Sequence, residues 1–545
     1  MTGMELREVQ FDIPFGDLEL LRQIPAFKGY DPSKECLNMV KPIYGLKDAP
    51  RVWRKKLHQV LTAWLSCRQL YAEPELYCVH GKDKGLVPKP ALIRPAASTE
   101  SKKKNTLERA KDHSDDRTEN DEIPPREFPD STLKEMICIL SVHVDDLKGT
   151  ATRATADSLL AHLEKMVGKC KADFVSFTHT GIQHEHKSGE VYTHQFTYVD
   201  AIKPIPTSAY KGMEDEKLVT DTPLHDLFRS CIGAIAWAVL SRADIAVYVQ
   251  ALQRRGHAPR VVDIKRCNLV IRFLRRYKCG IKTIKLEHPV KLTGFTDAAF
   301  KALVDEPTGL ALRGLACLLQ EDTSRDKPMS NNKKANLLDF TVCRQKGVVR
   351  STFSAELNGL VDSIEQLLLL QATLHQIYCG TSQSPEELID LLEHGKLYPP
   401  VDVCVDARAV FDALAASDVC DPSESSLKLH LISVRDRIAC GILRFLWWTD
   451  TRDMAADGLT KGGIDRTILH NLSQECTYDC KHDVLRHPKT TGTGGPLLGQ
   501  PAASSEDMDE NLVTKSQNTY QRSSKYGYRK PSSVHWADDG FHCEF

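Results

Sequence analysis

Six carboxylates stand where they could do chemistry. Asp297 closes the apolar run LTGFTD, Glu356 lies near the start of RSTFSAELNGLVDSIEQLLLLQATLHQI, Asp406 follows VDVCV, and Asp457 follows LRFLWWTDTRDMAA. Asp145 and Asp146 are adjacent at the end of ICILSVHV. Carboxylates brought together repel one another, so water at a surface or a divalent cation must neutralise them. A set of four from separate elements can share two cations about 4 Å apart, one activating a water and the other stabilising the leaving oxygen of a phosphodiester. Any one of these acids alone is better explained as a helix cap or a solvated turn residue than as a metal ligand.

The surrounding patterns supply the elements that would position them. ICILSVHVDDLKGT reads as strand, tight turn and strand, with Asp145 and Asp146 at the turn. LTGFTDAAF and GLALRGLACLLQ read as two strands, and VDVCV as a buried strand delivering Asp406 to the mouth of a helix. Leu357, Leu360, Val361, Ile364, Leu367, Leu368 and Leu374 recur at helical spacing after Glu356. Asp457 opens a further helix after the strand LRFLWW.

Two basic stretches accompany the acids. In KPIYGLKDAPRVWRKKLHQVL, Pro50 fits the first turn of a helix with Val52, Trp53, Leu57, Val60 and Leu61 on one face. Lys47, Arg51 and Arg54 gather at its start, either as a solvated helix end or as contacts to a phosphate backbone. Between Arg254 and Lys278, an apolar stripe of Ile264, Cys267, Ile271 and Leu274 leaves Arg266, Arg272, Arg275 and Arg276 elsewhere around the helix. Few acids are interspersed, which favours a nucleic-acid backbone as partner.

At 545 residues the chain has room for about three domains. A net charge of −1 argues against non-specific coating of nucleic acid and makes charge position the informative quantity. No apolar run approaches the roughly 20 residues of a membrane span, and the N-terminus lacks a signal pattern. The expectation is an intracellular protein, cytoplasmic or nuclear, without a membrane partner. The seventeen cysteines are scattered singly, unlike a disulfide framework. Cys476, Cys480 and His482 cluster without a fourth zinc ligand, and His179, His184, His186 and His194 lack acidic or cysteine partners, so neither group is assigned a metal. Arg242 and Asp244 suit a structural ion pair or cap.

Strand-end Asp, helix-start Glu, strand-end Asp and helix-start Asp is the arrangement of the ribonuclease H fold. Several segments are similar to copia-type retrotransposon Pol polyproteins. YGLKDAPRVW resembles the family's YGLKQAPRAW, HVDD its YVDD, and LFRSCIGAIAWAVLSRADIAVYVQALQR its YRSLVGSLLYLTNTRPDIAYAVNLLSR. TDAAF resembles SDADWAG, STFSAEL resembles SSTEAEY, VDVCVDARAV resembles CDNQSAI, and TDTRDMAADGLTKG resembles TKEQLADILTKPL. The resemblance covers roughly Ile24 to Thr467 apart from an insertion. It implies that Asp297, Glu356, Asp406 and Asp457 are ribonuclease H metal ligands, and that Asp145 and Asp146 belong to a polymerase site, with two Mg²⁺ or Mn²⁺ ions per site.

The family pattern is departed from at several positions. His143 replaces the aromatic before the Asp pair, Asp48 replaces a glutamine, Ala407 an asparagine and Leu357 an aromatic. The family's earlier aspartate motif, D-V-x-x-A-F-L-x-G, has only its following stretch matched, by REVQFDIP, so the third polymerase ligand and most of the fingers are expected to be missing.

The expected architecture is an α+β reverse-transcriptase palm, N-terminally truncated, followed by an α/β ribonuclease H-like domain. Its parts are partial fingers and palm at 1–79, a disordered insertion at 80–134, the remaining palm at 135–253, a basic connection helix at 254–289, the ribonuclease H-like domain at 290–472 and a mostly disordered tail at 473–545. Charged and small polar residues dominate the insertion and tail, which cannot bury enough apolar surface to offset ordering. The expected activity is metal-dependent hydrolysis of RNA in RNA/DNA hybrids, with RNA-directed DNA polymerisation lost or incomplete. The partners would be the hybrid, template RNA and other Pol polyprotein segments. The competing expectation is a degenerate, non-catalytic nucleic-acid-binding protein.

Overall fold

In the computed structural model, the described residues are 10–11, 17–38, 49–81, 133–300, 310–323, 327–328, 333–380, 384–416, 422, 424–487, 534–535 and 542–543. Lys47, Asp48 and nearly all of the insertion lie outside them.

The N-terminal half is built on a four-stranded antiparallel sheet in the order β1 (Arg68–Gln69), β2 (Leu76–His80), β3 (Met136–His143) and β4 (Asp146–Ala151). Helix α1 (Ala49–Thr62) lays Leu57, Val60 and Leu61 against it, and α2 (Arg153–Val167) adds Leu159 and Leu163. The Thr152 hydroxyl accepts the Thr155 N–H and so caps α2, satisfying a donor the helix cannot pair internally. Strands β5 (Ser176–His179), β6 (Ile182–Lys187) and β7 (Glu190–His194) follow as a meander. Helices α3 (Phe196–Ala201), α4 (Pro223–Ala238), α5 (Ala246–Arg254) and α6 (Val261–Arg276) then build a separate helical core. The apolar stripe Ile264, Cys267, Ile271 and Leu274 of α6 is fully inside it. Strand β8 (Ile281–Thr283) returns to pair with β7.

The C-terminal half is a mixed sheet. Its centre is β9 (Val290–Ala299), β10 (Leu312–Glu321) and β11 (Lys333–Arg344), paired antiparallel in succession. Helix α7 (Thr352–Cys379) and the short α8 (Pro385–Glu393) lead to β12 (Val401–Val405), which is parallel to β9. Helices α9 (Arg408–Ala415) and α10 (Ser426–Ala439) cross to β13 (Phe445–Thr449), parallel to β12. The central order is therefore β11-β10-β9-β12-β13. Strands β12 and β13 are covered on both faces, which explains why VDVCV and FLWW are near-continuous apolar runs.

Helix α7 buries Leu357, Leu360, Ile364 and Leu367 completely against this sheet. Each such side chain contributes about 1.5–3 kcal/mol, against helix-propensity differences of at most about 0.7 kcal/mol per ordinary residue. Packing therefore fixes the helix. The chain continues into α11 (Asp457–Thr460), α12 (Thr467–Gln474), β14 (Thr477–Tyr478) and β15 (Val484–Arg486). Strand β14 pairs with β11 and β15 with β13, so residues 477–486, expected within the disordered tail, extend both edges of the sheet. Tyr478 and Cys480 are buried, and their apolar contacts hold this otherwise polar segment.

The two halves touch at the far end of α7. The Gln376 side-chain carbonyl accepts the N–H groups of Tyr71 and Ala72, each at 3.0 Å. His80 Nε2 lies 2.8 Å from the Ile377 carbonyl oxygen, and the Lys134 N–H donates to the Tyr378 carbonyl.

One buried ion group lies at the opposite end of β12 from Asp406. Asp402 has no exposed side-chain surface and takes a bidentate pair from Arg444 at 2.8 and 2.7 Å, with Lys291 Nζ at 3.3 Å. Arg444 also reaches Asp322 at 2.6 Å. Burial alone would raise the Asp402 pKa, but Arg444 and Lys291 outweigh it and hold the carboxyl below its ordinary range. Replacing Asp402 with Asn strands Lys291 in the interior and leaves Arg444 with Asp322 alone. The expected loss is about 3–5 kcal/mol by urea unfolding at neutral pH. Because the folded pKa is depressed, this contribution is complete above about pH 4 and fades as pH falls through the folded value, so wild type and variant should converge in acid. A variant as stable as wild type at pH 7 would contradict this assignment.

Candidate active site

Parallel register places two of the acids. Thr296 of β9 lies opposite Val405 of β12, so the next residues, Asp297 and Asp406, emerge side by side at the sheet's centre. Helix α7 begins at Thr352 behind a Ser351 cap, which puts Glu356 one turn in and over the same strand. Its Oε2 accepts the Ala298 N–H at 3.0 Å. One carboxylate oxygen from each of Asp297, Glu356 and Asp406 lies within 4.8 Å of the others, the one group of three or more potential metal ligands among the described residues.

Asp457 joins through its neighbours. It opens α11, whose Thr460 hydroxyl donates to Asp297 Oδ2. Lys461 Nζ lies 2.6 Å from Asp457 Oδ1, 3.3 Å from Asp297 Oδ1 and 3.9 Å from Asp406 Oδ2. Asp406 is further held by the Thr451 hydroxyl at 3.0 Å, while the Trp448 indole donates to its backbone carbonyl at 2.9 Å. The sequence alone does not single out Thr460 or Lys461. The i, i+4 spacing of Asp457 and Lys461 was the available signal.

The electrostatics are those of crowded acids. Burial, then Asp297 and Asp406, push the Glu356 carboxyl up to about 9. Burial and Asp297 push Asp457 to about 7, and the same two causes raise Asp406. Burial would lower the Lys461 pKa, but Asp297 and the bond to Asp457 raise it. A divalent cation suits this donor set. The oxygens are hard, converge from separate elements, and include Asp297 Oδ1, a buried atom that accepts no hydrogen bond.

The hairpin acids are arranged differently. His143 pairs with Asp146, leaving Val144 and Asp145 as the two-residue loop, with Val144 at φ +56°. Asp145 and Asp146 are both exposed. The Trp53 indole donates to the Val144 carbonyl at 2.8 Å, tying α1 to the turn. No third carboxylate joins them among the described residues.

The basic candidates divide. Arg51 and Arg54 are exposed on α1, with Arg54 paired to Glu75 at 2.7 Å. On α6, Arg272 and Arg276 are exposed, whereas Arg266 binds Asp263 and Arg275 donates to the Asp200 and Ile202 carbonyls. Arg242 is buried and pairs with Asp244 at 2.6 Å. Cys476 bonds the Lys282 carbonyl and His482 bonds Asp453, which engages them in the fold.

The acids thus gather over the paired ends of the central strands of a mixed sheet. The chain is similar to retrovirus-related Pol polyproteins. It is 23% identical over 265 residues to that from transposon RE2 of Arabidopsis thaliana, and 21% identical over 248 residues to that from transposon RE1. These matches take in 49% and 46% of this chain but only 15% and 14% of the relatives' lengths. LC11-RNase H1, solved in complex with an RNA/DNA hybrid, matches 32% of this chain and 99% of its own at 15% identity, with a TM-score of 0.20. No family model matches.

Gly314, opposite Asp297 on β10, lets α11 approach the site. A Cβ there would stand 2.7 Å from Thr460 Cγ2 and 3.1 Å from Leu459 Cβ. Gly314→Val is expected to cost about 1–3 kcal/mol by overpacking and to move Asp457 away from Asp297. Melting curves with and without Mn²⁺ should then show a smaller metal-induced rise than in wild type. An undiminished rise would contradict this positioning role.

Proposed function

We propose that this chain is a segment of a copia-type retrotransposon Pol polyprotein that hydrolyses the RNA strand of RNA/DNA hybrids. The convergence of Asp297, Glu356 and Asp406 within 4.8 Å, from two strands and a helix, carries the reading. Asp297, Glu356, Asp406 and Asp457 would hold two Mg²⁺ or Mn²⁺ ions. Bound there, the ions supply an activated water and charge stabilisation at the leaving oxygen.

The protein's own part is positioning. The β9–β12 register aligns Asp297 with Asp406, the Ala298 N–H orients Glu356, and Thr460 fixes Asp297. Exposed Arg272 and Arg276, with Lys47, Arg51 and Arg54, are proposed to meet the phosphate backbone of the hybrid or template RNA, and Arg266 and Arg275 to support that surface. Residues 1–79 are read as partial reverse-transcriptase fingers and palm, and 135–253 as the remaining palm with connecting helices. Asp145 and Asp146, with no third carboxylate beside them among the described residues, support little or no polymerisation by this chain. We place the activity inside the cell, away from membranes; no described helix is long and apolar enough to cross one.

The test is cleavage of a labelled RNA/DNA hybrid in Mg²⁺. Wild type should cleave and Asp297→Asn should lose activity by at least about a thousandfold, given the several kcal/mol such a site supplies. A folded wild type that binds but does not cleave would overturn the catalytic reading. Primer extension that disappears in Asp145→Asn would overturn the polymerase reading.

A further inference from the structure

We infer that Lys461 is a resident counter-cation of the acid cluster, which a divalent ion entering between Asp297 and Asp457 must displace, so that this lysine sets the metal affinity of the site. The inference rests on reading the cluster as a divalent-metal site. Its geometry is specific to one ammonium group. Nζ is 2.6 Å from Asp457, 3.3 Å from Asp297 and 3.9 Å from Asp406, touching three of the four acids and linking Asp457 to Asp297 and Asp406. The same Asp297 oxygen that faces Lys461 accepts no hydrogen bond, so a cation is its natural partner.

Lys461 is also free to leave. It lies just past the end of α11, and its side chain keeps about a third of its surface exposed. The ammonium can therefore swing toward solvent on its four-carbon stem without unfolding an element. A cation held only a few ångströms from the same oxygens repels an incoming divalent ion strongly unless it moves. Without metal it offsets the mutual repulsion of Asp297 and Asp457; with metal it must withdraw from at least one of them.

Calorimetric titration of the full chain with Mn²⁺, without nucleic acid, separates this from a purely structural role. Lys461→Met should bind Mn²⁺ at least about tenfold more tightly than wild type, while melting lower in chelator. Lys461→Arg, which keeps the charge, should bind no more tightly than wild type and covers the case in which the methionine variant fails to fold. Unchanged or weaker Mn²⁺ binding by folded Lys461→Met, or tighter binding by Lys461→Arg, would overturn the role of Lys461 and leave the metal site standing. No binding by wild type or by either variant would overturn the metal-site reading together with this one.

Discussion

The constraint on which the C-terminal half depends is the repulsion among Asp297, Glu356, Asp406 and Asp457. Left to themselves, four acids would separate into water. They are instead fixed by elements whose positions are set elsewhere: two parallel strands in register, a long helix packed on the same sheet, and a short helix seated over Gly314. The backbone N–H of Ala298, the hydroxyls of Thr451 and Thr460 and the ammonium of Lys461 absorb part of the charge. The remainder shows as carboxyls driven well above their usual range, above all Glu356.

Such strain needs a stiff frame. The Asp402–Arg444–Lys291 group anchors the opposite end of β12, and apolar helix faces cover the sheet on both sides. Helix α7 also links the halves of the chain. Glu356 is one turn from its start, and Gln376, which holds Tyr71 and Ala72, is near its end. Twenty residues of helix separate them by about 30 Å.

Much of this was legible in the sequence because the acids terminate apolar runs. An apolar run closed by Asp297 or Asp406 announces a strand by composition, and leucine spacing announces α7. What escaped depends on contacts distant in sequence. The bond from Thr460 to Asp297 exists only because Gly314 admits α11. Strands β14 and β15 are two and three residues long and have no periodicity to read; pairing with β11 and β13 defines them. Asp402 looks like an ordinary polar residue in VDVCV until Lys291 and Arg444 are brought to it. The arginines of α6 read as one basic surface, yet Arg266 and Arg275 are largely engaged by Asp263 and by backbone carbonyls.

Whether the four acids form one two-ion site is read most directly by anomalous diffraction from crystals of the chain soaked in Mn²⁺. A two-ion site gives two peaks about 4 Å apart, within bonding distance of Asp297 and shared among Glu356, Asp406 and Asp457. Peaks only at other acidic positions, or none at this cluster at saturating Mn²⁺, would contradict it.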